Sequence, residues 1–342
     1  MSLDVRQQLL NYSLSRRHLS LPPEHLASLY EVCTQFVGSP SNFGQLDKIE
    51  QNSVLLLQLQ LSLLTCHDIE AKAILEKLTD LVNDDRLVSS ESQWLIYWRS
   101  VYLQCQSENG NIEKGDLPTD PIFEYLNQAS AKFIKDSNRR IGTSLGATGD
   151  PARLRSPEDL YMLKKRKAAL FSYGKDNRKY AEKLLELIDL RPLDLENWCE
   201  LAEVYLASGE LEKCHCCYLE VLIGVPFAYN IWARLGEVCL LLDRVARDGG
   251  NGKKGSSRDS GEQLKNAVRH FSRSIELCDM YARGWSGLYV ALKRLLVTGE
   301  KVGEAYSQLQ DIAERKLRQM VLEKQTNESE ITNIKWILER ET

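Results

Sequence analysis

Between residues 198 and 226 the apolar positions fall into two helical stripes separated by a turn. Trp198, Leu201, Ala202 and Tyr205 recur at steps of three and four, which puts them on one face of a helix. Cys214 and Tyr218 repeat the four-residue step on a second helix, and Pro226 ends it. Gly209 sits where the chain must reverse, at a position that tolerates positive φ. The first stripe then returns as Trp232, Leu235, Gly236 and Cys239, 34 residues after its first appearance.

A 34-residue period carrying Trp, Leu, a small residue, Tyr, a second small residue, an aromatic and Pro is the tetratricopeptide pattern. The small residues at 202 and 214 allow the two helices of a pair to approach closely, and Tyr218 fills the gap between them. One pair cannot bury its stripe alone, so such pairs stack. Extended backwards, the period gives a degenerate repeat over Glu158–Pro192 that contains Ala168, Phe171 and Leu184. Extended forwards, it places the next small residue at Asp248, inside a stretch rich in Gly, Ser and charge. The missing helix resumes at Ala267 and Phe271, and Trp285, Leu288, Tyr289 and Leu292 open one more. The pattern predicts an all-α fold, a tetratricopeptide-repeat (TPR) α-solenoid of stacked antiparallel helix pairs. A flexible loop is expected at about 244–262. The expected repeat core is Trp198, Leu201, Ala202, Tyr205, Cys214, Tyr218, Pro226, Trp232, Leu235, Gly236, Ala267, Phe271, Trp285 and Leu288.

Outside 158–297 the helical pattern persists without the signature residues. Residues 1–106 read as divergent helix pairs and an N-terminal cap: a helix opens at Pro23 with Leu26, Leu29, Tyr30, Cys33 and Phe36 on one face. Further helices follow over 54–64, 69–82 and 92–105. Residues 107–157 read as linker segments around a short helix at 122–135. Residues 298–342 supply capping helices, at 302–324 and 331–338.

Charge narrows the function classes. With 44 basic and 48 acidic residues the net charge is −4, and the basic clusters are short: Arg153, Arg155 and Lys164–Lys167, and Lys253–Lys254. Each reads as a solvated face or loop rather than a polyanion-binding stripe. Nine irregularly spaced cysteines do not read as a secreted disulfide framework, and Met1–Arg6 lacks the apolar core of a signal peptide. The most apolar run, 53–66, is too short to cross a bilayer and is interrupted by Gln58 and Gln60, so it predicts a buried helix. A soluble, reduced, cytosolic protein is expected.

Catalytic chemistry is not apparent. Cys214-His215-Cys216-Cys217 is the most conspicuous group of metal-ligand residues, but consecutive helical side chains diverge by about 100°, so the four cannot converge on one ion. Core packing is the expected role of Cys214. Neither Gly174-Lys175 nor the Gly249–Lys254 stretch has the setting of a phosphate loop. No catalytic residue, metal or cofactor is expected.

Several non-consensus neighbours in the repeats carry a resemblance. Lys165-Arg166-Lys167, Trp198-Cys199-Glu200-Leu201-Ala202-Glu203, Cys216-Cys217-Tyr218-Leu219-Glu220 and Gly284-Trp285-Ser286-Gly287-Leu288-Tyr289 are similar to the second-subunit family of the endoplasmic reticulum (ER) membrane protein complex. The resemblance covers about 158–296. It implies a non-catalytic scaffold subunit, peripheral on the cytoplasmic face of the ER membrane and without a span of its own. Such a subunit clasps cytosolic subunits and the cytosolic ends of membrane subunits in a hetero-oligomer that inserts tail-anchored and multi-spanning proteins. No nucleic-acid partner is implied.

Two alternatives stay open: a free TPR adaptor of the co-chaperone type, and the scaffold of an RNA-processing complex. An adaptor that captures acidic C-termini resembles others in a Lys, Asn and Arg clamp, whereas Ala169 and Glu200 hold those slots here, with Glu203 beside them. An RNA scaffold needs a basic groove, for which Arg153, Arg155 and Lys164–Lys167 are the only material. Offsets from the consensus Trp place Glu196, Cys199 and Glu203, then Asn230, Ala233 and Glu237, then Arg283 and Ser286 on the concave first-helix face, the expected partner-binding surface.

Overall fold

The computed structural model describes residues 2–84, 93–109, 120–145, 160–173, 176–248, 256–297, 304–324 and 326–340. Among these residues every regular element is helical, and the chain divides into two compact units, Met1–Lys175 and Asp176–Thr342. The fold is all-α and of the tetratricopeptide type.

The first unit holds α1 (Ser2–Ser15), a 3-10 turn (Arg17–Ser20), α2 (Pro23–Gly38), the single turn α3 (Pro40–Phe43), α4 (Lys48–Leu64), α5 (Asp68–Asp84), α6 (Gln93–Asn109), α7 (Asp120–Leu145) and α8 (Tyr161–Tyr173). Helix α4 is the apolar run singled out in the sequence, and its burial on two sides explains why it carries so little charge. Val54, Leu57 and Leu61 pack with Leu9 of α1 and with Leu29, Cys33 and Phe36 of α2. Leu55 and Leu59 face the other way, onto Ala71, Leu75 and Leu78 of α5 and Leu95 of α6. Ser62, buried in α4, donates its hydroxyl to Gln58 O at 2.8 Å, so its polar group is satisfied inside the helix. A capping box starts α4: Glu50 N donates to Asp47 Oδ1 at 2.7 Å, and Asp47 N to Glu50 Oε2 at 3.1 Å.

Helix α8 overturns the surface reading of the basic run. Arg166 is buried, and its guanidinium donates to Ser100 Oγ at 2.9 Å and to Gln104 Oε1 at 2.5 Å, both on α6. The same group lies 5.8 Å from the centre of the Tyr97 ring. A basic patch therefore loses its middle member to the core. Arg153 and Arg155 lie outside the described residues.

The second unit holds α9 (Asn177–Leu190), α10 (Leu195–Ala207), α11 (Leu211–Gly224), α12 (Tyr229–Asp248), α13 (Ser256–Leu277), α14 (Ala282–Val297), α15 (Glu304–Leu322) and α16 (Glu328–Arg340). Each packs on the next, while α12 also meets α14 and α14 meets α16, as stacked pairs require. Gly209, at φ +77°, makes the α10–α11 reversal where the sequence places it. The expected loop at 244–262 is helical at both ends: α12 continues to Asp248 and α13 begins at Ser256, leaving 249–255 outside the described residues. Buried Asp243 pairs with Arg247 one turn on, at 2.5 Å, which helps carry α12 beyond the usual repeat length. Helix α7 likewise runs past the expected end at 135, to Leu145.

The core of this unit gathers around Phe271 of α13, which is fully buried with Ala267, Leu288 and Leu292 and packs in one cluster with buried Trp285. Its ring lies between Gly236 of α12 and Gly287 of α14. A Cβ on Gly236 would stand 2.7 Å from the ring, and one on Gly287 would be nearer still. Small residues in the repeat thus create the slot for the aromatic of the facing helix.

Candidate partner-binding face

The three consensus tryptophans of the second unit perform the same local task. Trp198 Nε1 donates to Pro192 O at 2.9 Å, Trp232 Nε1 to Pro226 O at 2.9 Å, and Trp285 Nε1 to Asp279 O at 2.7 Å. Each indole ties the turn preceding its helix to that helix's first turn. This fixes the angle at which α10, α12 and α14 enter the stack, and so positions the residues they present. Pro226 is itself exposed and contributes its carbonyl, while Trp198, Trp232 and Tyr205 are only half-buried. Leu201, Ala202, Cys214, Tyr218, Leu235, Ala267 and Leu288 are buried as core residues.

Across these first helices runs a ladder of alternating charge. Tyr218 of α11 donates its hydroxyl to Glu203 Oε1 at 2.6 Å, and Arg234 of α12 reaches the same oxygen at 2.7 Å. Arg234 also pairs with Glu237 at 3.2 Å on its own helix. Arg283 of α14 grips both carboxylate oxygens of Glu237, with Nη2 2.7 Å from Oε2. Burial, followed by the hydrogen bond to Glu203, pushes the Tyr218 phenol above its usual range. The Arg283 guanidinium is held above its usual value first by its hydrogen bond to Glu237. One rung lower, Tyr180 of α9 donates to Glu200 Oε2 at 2.5 Å. Glu200, Glu203 and Glu237 are thus each engaged by a hydroxyl or guanidinium from a neighbouring helix.

Glu237, Arg283 and Ser286 come together on one wall of a groove of about 500 Å³. Ile334, Trp336 and Ile337 of α16 form the facing wall, and Trp336 leaves 55% of its surface in solvent. Glu196 and Asn230 are exposed, and Cys199 is half-buried. Burial, and then the carboxylates of Glu203, Glu200 and Glu196, push the Cys199 thiol up, so it is no activated nucleophile. Ala233 is a correction: it is fully buried in the core and presents nothing to a partner. The Trp offset carries it inward because Ala233 lies three residues from Gly236 on the face turned to α13. The sequence reading missed Arg234, which joins two rungs, and the α16 side of the groove. The three-residue spacing of Arg234 and Glu237, with their opposite charges, was the available signal.

The four-residue Cys-His cluster does not converge. Cys214 and Cys217 are buried and Cys216 is exposed.

No family model matches the chain. Among curated proteins it is 22% identical over 294 residues to ER membrane protein complex subunit 2 of Saccharomyces cerevisiae, covering 85% of each chain. It is 27% identical over 172 residues to the TPR repeat protein oca3 of Schizosaccharomyces pombe, 47% of this chain. That second match spans about half of oca3, 55% of its length. Among solved structures, the C-terminal part of a TPR repeat-containing protein of Cytophaga hutchinsonii aligns with 94% of this chain and 98% of its own, at 13% identity and a TM-score of 0.48.

Proposed function

We propose that the chain is a non-catalytic scaffold subunit of an ER membrane protein complex. In this reading it sits on the cytoplasmic face of the ER membrane and joins cytosolic subunits to the cytosolic ends of membrane subunits. The assembly it serves inserts tail-anchored and multi-spanning proteins. The observation that carries the reading is the match to the yeast subunit, which extends over 85% of both chains and so includes the helices outside the signature repeats. It is supported by the first-helix face, where an ordered charge ladder borders an apolar groove of a size that accepts several side chains. Among the described residues no helix is long and apolar enough to cross a membrane, so in this role the chain attaches through other subunits. The groove side of the second unit is the docking surface in this role, with Glu196, Cys199, Glu203, Asn230, Glu237, Arg283 and Ser286 at or beside it. The four blocks 1–106, 107–157, 158–297 and 298–342 serve as N-terminal cap, linker, repeat stack and C-terminal cap.

A mild-detergent affinity purification of the tagged chain, read by quantitative mass spectrometry, tests this reading. Several ER membrane proteins recovered in near-equal amounts is the expected result. Recovery of chaperones or RNA-processing factors in their place would contradict it and favour one of the two alternatives.

A further inference from the structure

Three side chains of metal-ligand type, from three successive helices, meet inside the second unit. They are His215 on α11, Cys239 on α12 and His270 on α13, and one ligand atom of each lies within 4.8 Å of the other two. The two imidazole centroids are 5.9 Å apart with their planes at 60°. Cys239 is fully buried, the histidines are half-buried, and the Trp232 ring covers His270 at 5.6 Å. Among the described residues, no hydrogen bond ties any of the three side chains to another group. Three soft or borderline ligands are thus gathered at one point with their lone pairs uncommitted.

We propose that His215, Cys239 and His270 form a zinc(II) site with a fourth position open to water or to a ligand from a partner. Two imidazoles and a thiolate are the donors zinc prefers, and hard cations such as magnesium or calcium would find no oxygen ligand in the trio. A tetrahedral ion with bonds of about 2.0–2.1 Å to nitrogen and 2.3 Å to sulfur holds its ligand atoms about 3.3–3.6 Å apart. The ligand atoms of the trio lie within 4.8 Å of one another, and rotation of the two half-buried imidazoles is the adjustment that brings them to this spacing in the proposed site. A packing contact alone has no need of this chemistry, since any three side chains of similar volume would fill the space.

The protonation states of the three groups suit zinc binding. Burial, then the neighbouring His215 and Arg269, lower His270 to about 4, and burial also lowers His215. Both rings are therefore neutral ligands at neutral pH, with no proton to displace. Burial pushes the Cys239 thiol up to about 12, so it enters as S–H. On binding, the S–H bond breaks, the proton leaves to solvent and the S–Zn bond forms, because the ion's charge replaces the solvation that burial removed. One proton is released per ion.

The test uses the full chain, reduced and stripped with a chelator, then titrated with zinc(II) by calorimetry in buffers of different ionisation enthalpy. Cobalt(II) serves as the spectroscopic probe of the same site. The expected result is one ion and about one proton per chain, with a thiolate-to-cobalt charge-transfer band. Affinity should fall at least about tenfold in both Cys239→Ala and His215→Gln, and stay unchanged in Cys216→Ala. If Cys239→Ala fails to fold, His215→Gln at its half-exposed position gives the same reading. Zinc binding that neither variant weakens, a cobalt complex without the thiolate band, or loss of the ion in Cys216→Ala would each overturn the proposal.

Discussion

Trp232 Nε1 donates a hydrogen bond to Pro226 O at 2.9 Å, binding the first turn of α12 to the loop that feeds it. The same bond at Trp198 and Trp285 shows that the repeat's Trp does more than fill a stripe. Trp232→Phe keeps most of the ring area and removes the donor. It should cost about 1 kcal/mol, the net worth of a single neutral hydrogen bond, measured by urea unfolding. An unchanged midpoint would mean that the turn is held by packing alone.

The glycines of the second unit separate into two kinds. At Gly287 the obstacle is the Phe271 ring, so Gly287→Ala should cost about 1–3 kcal/mol through overpacking. At Gly209 nothing lies within 4 Å of where a Cβ would stand, and the constraint is φ +77° alone. Gly209→Ala should cost about 1–2 kcal/mol, and Gly209→Asn less, because Asn tolerates the left-handed region. Combining Gly287→Ala with Phe271→Leu should recover part of the first loss, whereas the same partner change should do nothing for Gly209→Ala. Thermal or urea unfolding of these five variants, with Phe271→Leu alone as the reference, checks both expectations.

Arg166 supplies three bonds to α6 from a buried position. Arg166→Leu strands the acceptors of Ser100 and Gln104 and should destabilise the first unit by about 1–3 kcal/mol. Arg166→Lys should recover little of this, since one ammonium cannot reproduce the planar fork. Equal stability of the arginine and leucine forms would place the side chain in solvent.

His270 predicts a stability that depends on pH. Its folded value near 4 lies below the ordinary 6.5, so in that interval the unfolded chain binds more protons than the folded one. This contribution to stability is intact above 6.5 and is lost as pH falls towards 4. The groups facing His270 are His215 from α11, Cys239 from α12 and Arg269 on its own helix. In chelator, the melting temperature of His270→Gln should fall less between pH 7 and pH 4.5 than that of the unaltered chain. Asp176, held low by the Lys179 backbone amide, and Glu50, held low by Arg6, lose their own contributions at more acidic pH in both proteins. Parallel pH profiles would show that His270 titrates normally.

What was legible in the sequence was whatever a single helix encodes. Trp198, Leu201, Ala202 and Tyr205 define a stripe, and the distance to Trp232 and then Trp285 sets the phase of the pairs even across an insertion. Contacts between helices were not legible, because they depend on how the pairs stack. Glu203 and Arg234 are far apart in sequence and meet only when α10 and α12 lie side by side. His215, Cys239 and His270 have no motif spacing, since each sits on a different helix. Arg166 falls three residues after buried Leu163 and four before buried Leu170, so the apolar periodicity marked it as inward-facing while its charge suggested solvent. Arg247 was hidden in the same way: it falls inside the stretch read as a loop from about 244, until its pairing with buried Asp243 is seen.

The groove beside α14 is the docking surface proposed for membrane-complex subunits, and filling it tests that role most directly. The measurement compares affinity purifications of the unaltered chain and of Ser286→Trp, which fills the groove from a half-exposed position beside Glu237 and Arg283. Both are read by quantitative mass spectrometry, with circular dichroism melts to confirm an equal fold. The predicted result is near-stoichiometric ER membrane proteins with the unaltered chain and loss of at least one of them with Ser286→Trp. Full recovery of the same partners by a folded Ser286→Trp protein would contradict the proposed role of the groove.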